Sequence, residues 1–247
     1  MPLSYEEQNG RRNQIKMFYE KRGDVIGFKT QFFKNKVKTV IDPELIFSTY
    51  SGSTVDNFGF TATFDLDGAL YSGGIVTSLT SVANGRYPAT PGAFDETFNG
   101  GDNPTPTNPN NTPWDIGISK YSPDGSTLEY ATYLGGSRNE YPHSLIVNEN
   151  DELVVFGTSA SPNYPTTNGA FSPSLNGGVD IILTKFSADG SALVGSTFIG
   201  GIGNDGLNSQ SDMNSYYADE YRGEVNLDDN GNVIIASSTY SNDFPIT

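Results

Sequence analysis

The chain has 247 residues, including 28 glycines and 14 prolines, with 12% aromatic and only 17% charged residues. This composition favours many short strands over helices. The absence of cysteine excludes disulfides, thiolate catalysis and cysteine-ligated metals, and no segment is long and apolar enough to cross a bilayer as a helix. The sequence therefore predicts an all-β protein without a membrane span.

The net charge of −15 is unevenly distributed along the chain. Residues 1–44 carry nine of the fourteen Lys and Arg residues and six acidic residues. Residues 45–247 carry the other five basic residues and twenty-three acidic ones. Because so acidic a body repels phosphate backbones, we expect no nucleic-acid partner for it.

Residues 1–44 are predicted to form the C-terminal part of an upstream β-rich domain, or a junction. Two apolar stretches, residues 25–33 and 37–41, flank the polar segment 34–36. This pattern predicts a hairpin between the two stretches. The basic residues of this region are interpreted as a solvated face, in preference to a nucleic-acid or lipid patch.

Residues 45–247 contain three motifs that recur in a fixed order, which is the sequence signature of a repeat architecture. The two copies of the third motif are 65 residues apart, and so are the second and third copies of the first motif. Copies of the first motif occupy residues 45–50, 128–133 and 193–198. Copies of the second motif occupy residues 87–94, 164–171 and 244–247, and copies of the third occupy residues 115–126 and 180–191.

One repeat contains four predicted strands separated by turn signals such as Asp67-Gly68 and Pro123-Asp124-Gly125. Two insertions, residues 100–113 and 202–221, are predicted to be exposed loops because the motifs on either side of them are intact. The strands of the first complete repeat are predicted at residues 58–64, 70–74, 116–121 and 128–133.

Four antiparallel strands per repeat predict blades of a β-propeller. Residues 45–247 supply a leading fourth strand at 45–50, two full blades and about half of a third, whereas propellers close with roughly 4–8 blades. We therefore expect an incomplete ring in this chain. The chain is expected to be a piece of a longer polypeptide, whose other segments are its partners and whose signal peptide lies upstream.

The repeated motifs resemble the SBBP ("seven-bladed β-propeller") repeat of large bacterial secreted proteins, most closely at residues 131–136, 164–171 and 179–191. Residues 40–53 resemble the junction that precedes such a propeller in gliding-motility-associated, type IX-secreted proteins of the Bacteroidetes. The resemblance implies a propeller fold and an extracellular or cell-surface location, associated with the outer membrane. It is specific for the fold and carries little information on function.

The sequence offers no catalytic centre. It contains no Gly-x-Ser-x-Gly elbow, no phosphate-binding glycine loop and no His-Glu-x-x-His. The one histidine, His143, cannot build a multi-histidine metal site and is interpreted as a surface or inter-blade residue. Three arginines, Arg86, Arg138 and Arg222, fall at non-equivalent places in the repeat, which disfavours a carboxylate-binding trio. We expect no enzyme.

Calcium is the cofactor that the sequence favours most. Asp65 and Asp67, and likewise Asp228 and Asn230, place side-chain oxygens on alternate residues beside a glycine, and hard cations prefer such ligands. The interpretation preferred over calcium binding is that these residues form hairpin turns, in which Asp, Asn and Gly are common.

A polar pair also recurs once per repeat, as Asp56-Asn57, Asn139-Glu140 and Asn204-Asp205. Its period favours a structural role, capping backbone groups where one blade passes to the next, over binding of calcium or another ligand.

Three functions remain, of which the third is a calcium-stabilised spacer without a ligand. The first is a non-enzymatic secreted or cell-surface module for adhesion, scaffolding or ligand binding, which presents variable loops on a rigid framework. The second is a glycan-binding or glycan-cleaving propeller. Its aromatic platforms are predicted at Trp114, Tyr216, Tyr217 and Tyr221.

Overall fold

The structure is a computed structural model that describes residues 3–8, 10–22, 25–30, 37–42, 47–52, 57–77, 87–100, 114–208 and 219–246. The chain divides into two compact units, residues 1–48 and 49–247. The described regular elements are β-strands, apart from one 3₁₀ turn at Asp219–Tyr221. The prediction of an all-β protein is therefore confirmed. No helix among the described residues is long and apolar enough to span a membrane.

The described residues of the first unit form five strands, with antiparallel pairing throughout. One sheet has the order β2-β1-β5, and a separate hairpin joins β3 to β4. The strands are β1 (Leu3–Gln8), β2 (Arg11–Gln14), β3 (Met17–Arg22), β4 (Val25–Thr30) and β5 (Lys38–Asp42).

The hairpin predicted in this unit is wrong in its pairing. β4 pairs with β3, and β5 pairs with β1, so the stretches around 25–33 and 37–41 are not partners. The physical reason lies in the connection between β3 and β4. Arg22 faces Val25 across only Gly23 and Asp24, and a two-residue Gly-Asp connection is a stronger hairpin signal than Lys34-Asn35-Lys36.

In the described part of the second unit there are two four-stranded antiparallel sheets and one two-stranded antiparallel sheet. The first repeat has the order β6-β7-β8-β9, the second repeat β10-β11-β12-β13, and the third repeat the pair β14-β15. The strands are β6 (Asn57–Phe64), β7 (Leu70–Val76), β8 (Asp115–Tyr121), β9 (Leu128–Leu134), β10 (Glu140–Val147), β11 (Leu153–Ser159), β12 (Asp180–Phe186), β13 (Leu193–Ile199), β14 (Glu224–Leu227) and β15 (Val233–Ala236).

The two complete repeats share irregularities as well as strand order. The register shifts between Gly59 and Thr61 in β6, and at the equivalent place between Pro142 and Ser144 in β10. A second shift separates the last two residues of β8 and likewise of β12. Because bulges are specific features of a fold, their coincidence confirms that the repeated motifs fold into the same blade-like unit.

The leading strand predicted at 45–50 is absent from the described part of this segment. Residues 47–50 have no strand conformation, and Ser48, Thr49 and Tyr50 are exposed; residues 45–46 lie outside the described residues. The equivalent strands β9 and β13 pair with β8 and β12. Among the described residues, no strand equivalent to β8 or β12 lies beside residues 47–50.

The hydrophobic core lies between successive sheets. One face of the first repeat packs against the second repeat through side chains such as Tyr71, Ile118, Leu145 and Ile182, all buried. The opposite face of the second repeat packs against β14 and β15, where Phe156 belongs to the cluster. The second repeat is thus covered on both faces, which is why its four strands contain almost continuous apolar runs.

Candidate functional site

The first strands of the three repeats lie next to one another. β10 contacts both β6 and β14. Between them is a groove of about 370 Å³, which is lined by the middle of β6, the middle of β10 and the segment that leads into β14. The lining residues are Gly59, Phe60 and Thr61; His143 and Ser144; and Tyr221, Arg222, Gly223 and Glu224.

The bulges direct two side chains to this groove. Phe60 and His143 are the unpaired residues of the register shifts in β6 and β10, and they occupy equivalent positions. A bulge bends its strand and re-aims the side chain of the extra residue. Opposite the bulges stand Gly74 and Gly157, where a Cβ would overlap the carbonyl oxygens of the bulged strands. The repeat therefore places one variable side chain per blade beside the groove.

Aromatic rings form the apolar part of the site. Tyr141 and Tyr221, also at equivalent positions, are stacked with ring centroids 3.8 Å apart. The Phe60 ring lies 6.3 Å from Tyr141 and 6.4 Å from Tyr221, distances typical of favourable aromatic pairs. Burial raises the pKa of Tyr221 and of Tyr141. Both phenols therefore stay protonated and keep their O–H donors.

His143 is buried and lies where the second repeat meets the third. Its ring packs edge-on against Phe156 at 5.2 Å, and Nε2 lies 3.4 Å from the hydroxyl of Thr158. Burial lowers the pKa of His143 to about 3, so the imidazole is neutral at neutral pH. It is thus an inter-repeat side chain, not a surface one.

A polar contact at the groove joins the second repeat to the third. The Ser144 hydroxyl donates to Glu224 Oε2 at 3.1 Å, which ties β10 to β14. Glu224 is the one carboxylate among the described residues that line the groove. In the part of the chain that the structure describes, no three His, Asp or Glu side chains are grouped as they would be around a metal ion. The arrangement suits non-covalent binding by aromatic rings and hydroxyls.

The calcium candidates of the first repeat lie in the hairpin turn between β6 and β7. Asp65 is buried, and its Oδ1 accepts the Ala69 N–H at 2.8 Å while its Oδ2 accepts the Tyr71 hydroxyl at 3.2 Å. Lys120 Nζ is 3.7 Å from Oδ2. Asp67 is exposed at the tip of the turn. The turn itself thus uses both oxygens of Asp65.

The candidates of the third repeat occupy the equivalent turn. Asp228 Oδ1 accepts the N–H groups of Asn230 and Asn232 at 2.9 and 2.8 Å, and Asp228 Oδ2 accepts the side-chain amide of Asn232 at 2.8 Å. In the second repeat the neutral Asn148 accepts the corresponding bonds. The hairpin-turn alternative accounts for these contacts. Calcium binding by these residues stays a prediction.

The equivalence of these turns gives a prediction for Asp65. Asp65→Ala removes the acceptor for a buried N–H and a buried hydroxyl, and should lower the free energy of unfolding by about 2 kcal/mol. Asp65→Asn should cost less than half as much, because Asn148 performs the same turn function in the second repeat. Urea unfolding measures both changes, and equal losses for the two variants would contradict this account of the turn.

Of the other predicted site residues, some lie at the groove and some do not. Tyr221 lines the groove, whereas Trp114 packs edge-on against Phe58 with ring centroids 5.7 Å apart. Tyr216, Tyr217 and Arg86 lie outside the described residues.

The recurring polar pair caps backbone groups where one repeat passes to the next, as its period predicts. Asn139 accepts the Trp114 N–H at 3.1 Å through Oδ1 and the Ala160 N–H at 3.2 Å through its carbonyl. The carbonyl of Asn204 accepts the Tyr240 N–H at 3.1 Å. Asp56, from the first copy, lies outside the described residues.

Sequence reasoning missed Phe60 as a groove residue, although signals for its bulge are present. Gly74 and Gly157 interrupt strand patterns at equivalent places, and Pro142 stands inside a strand. An isolated glycine or a proline in a strand commonly marks a bulge. Comparison with known proteins adds no assignment: no protein-family model matches this chain, and no curated protein matches its sequence.

Proposed function

We propose that residues 49–247 form part of a β-propeller that acts as a non-enzymatic binding module outside the cell or at its surface. The observation that carries this proposal is the position of β10 between β6 and β14, the equivalent strands of its neighbours. In a propeller, blades are arranged radially around a central channel. The groove between the first strands is the ligand-binding surface of this proposal.

Exposed apolar surface on the third repeat supports a continuation of the ring by further repeats. Ile234 in β15 is 56% exposed, whereas Val154, its equivalent in the second repeat, is 1% exposed because β14 and β15 cover it. Repeat proteins bury such faces only against a neighbour. Other segments of a longer polypeptide are therefore the partners we propose.

The resemblance to the SBBP repeat supports the same architecture. It also supports placement in a large gliding-motility-associated, type IX-secreted protein of the Bacteroidetes, at the outer surface of the cell. A module of this kind would serve adhesion or scaffolding, and its acidic body fits a solvent-exposed role.

A glycan is the ligand class that the groove favours as a second, more specific candidate. Phe60 and Tyr221 line the groove with aromatic rings and a hydroxyl, and Tyr141 stacks on Tyr221, a combination suited to sugar rings with apolar faces and polar edges. Cleavage is disfavoured because glycoside hydrolysis uses a pair of carboxylates. Only Glu224 among the described lining residues carries one, and it accepts a hydrogen bond from Ser144.

A glycan array combined with turnover assays on chromogenic glycosides tests this function. We expect binding without hydrolysis. Phe60→Ala should weaken binding about tenfold, corresponding to the loss of one aromatic contact of about 1.4 kcal/mol. Phe64→Ala is the matched control, because Phe64 lies on the same strand, is 74% exposed and does not line the groove.

Hydrolysis of any glycoside would contradict the non-enzymatic proposal. Binding that Phe60→Ala and Phe64→Ala reduce equally would contradict the placement of the site. Circular dichroism of both variants separates a lost contact from a lost fold.

A further inference from the structure

Four acidic residues at the junctions between repeats are fully buried. Asp115 begins β8 and Asp180 begins β12, so they are equivalent residues of the first and second repeats. Glu140 begins β10, and Asp205 occupies the equivalent place before β14. All four have relative exposures of 0%. The first pair is Asp115 with Glu140, and the second pair is Asp180 with Asp205.

The carboxylates of each pair face a common point beside a glycine. A Cβ on Gly135 would lie 2.5 Å from Asp115 Oδ1 and 2.7 Å from Glu140 Oε2. The second pair repeats this geometry around Gly200. A Cβ on Gly200 would lie 2.6 Å from Asp180 Oδ1 and 2.8 Å from Asp205 Oδ2. The convergence is therefore a property of the repeat.

Hydrogen bonding leaves one oxygen of the first pair without a partner. Asp115 Oδ2 accepts the Asn99 N–H at 2.8 Å. Glu140 Oε1 accepts the Ser159 hydroxyl at 2.6 Å, and Glu140 Oε2 accepts the Gly136 N–H at 3.1 Å. Asp115 Oδ1 has no hydrogen-bond partner. It is a buried acceptor that faces a second carboxylate.

The second pair also leaves one oxygen without a hydrogen-bond partner, at the equivalent atom. Asp180 Oδ2 accepts the Asn176 N–H at 2.7 Å. Asp205 Oδ2 accepts the Gly201 N–H at 2.8 Å and the Ser241 hydroxyl at 2.7 Å. Asp180 Oδ1 has no hydrogen-bond partner. The same buried acceptor atom is therefore without a hydrogen-bond partner in both junctions.

The charges that act on Asp115 and Asp180 are negative. Besides the partner carboxylate of each pair, Asp95 raises the pKa of Asp115 and Asp243 raises the pKa of Asp180. No ion pair joins a Lys, Arg or His side chain to either pair among the described residues. Two carboxylates side by side in a buried site cannot both be ionised without a large electrostatic cost.

We propose that each repeat junction holds one structural proton. The proton is carried on Oδ1 of Asp115 in the first pair and on Oδ1 of Asp180 in the second. The resulting O–H group donates a hydrogen bond to the facing oxygen of Glu140 or Asp205. One proton per pair converts the unpartnered acceptor into a donor. The carboxylate that remains ionised keeps its N–H and hydroxyl donors. A divalent cation fits less well, because it takes six or more oxygen ligands and the bonded neighbours of both pairs are donors.

The electrostatics agree with this geometry. Burial raises the pKa of Asp115 to about 8, and the negative charges of Glu140 and Asp95 add to that effect. Burial also raises the pKa of Glu140, to about 7, so the proton of the pair is held more tightly by Asp115. Burial likewise raises the pKa of Asp180, next to Asp205 and Asp243. In the unfolded chain both aspartates titrate near pH 4. Through Asp115 the folded chain therefore binds more protons between about pH 4 and 8, and the stability that the first pair contributes is lost as pH rises through that window. The raised pKa of Asp180 gives the second pair a pH dependence of the same sign.

Replacing the protonated aspartates by asparagine tests the proposal. In the double variant Asp115→Asn/Asp180→Asn, an amide N–H₂ group takes the place of each protonated Oδ1. The wild-type melting temperature should fall by about 5 °C from pH 6 to pH 9. The double variant should lose more than half of that fall. Glu149→Gln is the control, because it removes one charge from an exposed side chain and should retain the wild-type fall.

Infrared spectroscopy of the wild-type chain gives a readout that does not depend on any variant. The C=O stretch of protonated carboxyl groups should be present at pH 6 and disappear as pH rises to 9. The absence of that band at pH 6 overturns the proposal, and so does an unchanged pH dependence in the double variant. If calcium raises the melting temperature at constant pH and the double variant loses this response, the junctions hold a cation instead, and the proposal is wrong.

Discussion

Phe156→Ala should lower the free energy of unfolding of the second unit by about 4 kcal/mol, because it empties a fully buried site between the second and third repeats. The ring packs in one cluster with Val154, Ile181 and Val225, and its edge approaches Gly223 closely enough that a Cβ there would overlap it. Little space exists for neighbouring side chains to collapse into the void.

Urea unfolding followed by the fluorescence of the single tryptophan, Trp114, measures this loss. Phe171→Ala is the matched control, since Phe171 is 71% exposed and its truncation should change stability by less than about 0.5 kcal/mol. A loss below about 1 kcal/mol for Phe156→Ala would contradict the packing of the second repeat on the third. Hydrogen exchange should also accelerate at Val225 more than at Ile118, because only the former packs against this ring.

Gly157→Ala should destabilise the second unit by about 3 kcal/mol, for a different reason. A Cβ at Gly157 would overlap the carbonyl oxygen of Tyr141 at the bulge of β10. Backbone cannot move aside as the end of a flexible side chain can, so the ladder between β10 and β11 has to shift. Because the bulge positions His143, the groove should be distorted as well.

Gly195→Ala is the control for that substitution. Gly195 lies in β13 of the same sheet, and nothing stands within 4 Å of the Cβ it would gain. Alanine also lowers the entropy of the unfolded chain, so this variant should be as stable as the wild type or slightly more so. Thermal melts of the two variants give the comparison. Equal melting temperatures would show that the bulge geometry is wrong.

The repeat structure was predictable because it depends on patterns that the residues display directly. Strand periodicity and turn residues such as Asp67-Gly68 place the strands of the first repeat to within two residues of their observed ends. The pairing error in the first unit arose where two local signals competed. In the first unit, a two-residue connection at Gly23 and Asp24 outweighs the apolar stretches that suggested another hairpin.

The site was less predictable, because it depends on register and on burial. A bulge moves Phe60 out of the alternation of β6, and periodicity alone cannot reveal that shift. Asp115 and Asp180 stand in a recurring motif, so their equivalence is visible in the sequence. Their convergence with Glu140 and Asp205 is not visible in the sequence. It requires the third strand of one repeat to begin beside the first residues of the repeat that follows.

The central claim is that neighbouring repeats are separate sheets packed face to face, with their first strands adjacent. Nuclear Overhauser contacts in a methyl-labelled sample test it most directly. We expect contacts from the Leu145 methyls to the Ile118 methyl and the Tyr71 ring, which share one buried cluster across the two sheets. Main-chain contacts that pair β9 with β10 in one continuous sheet, in place of these side-chain contacts, would contradict it.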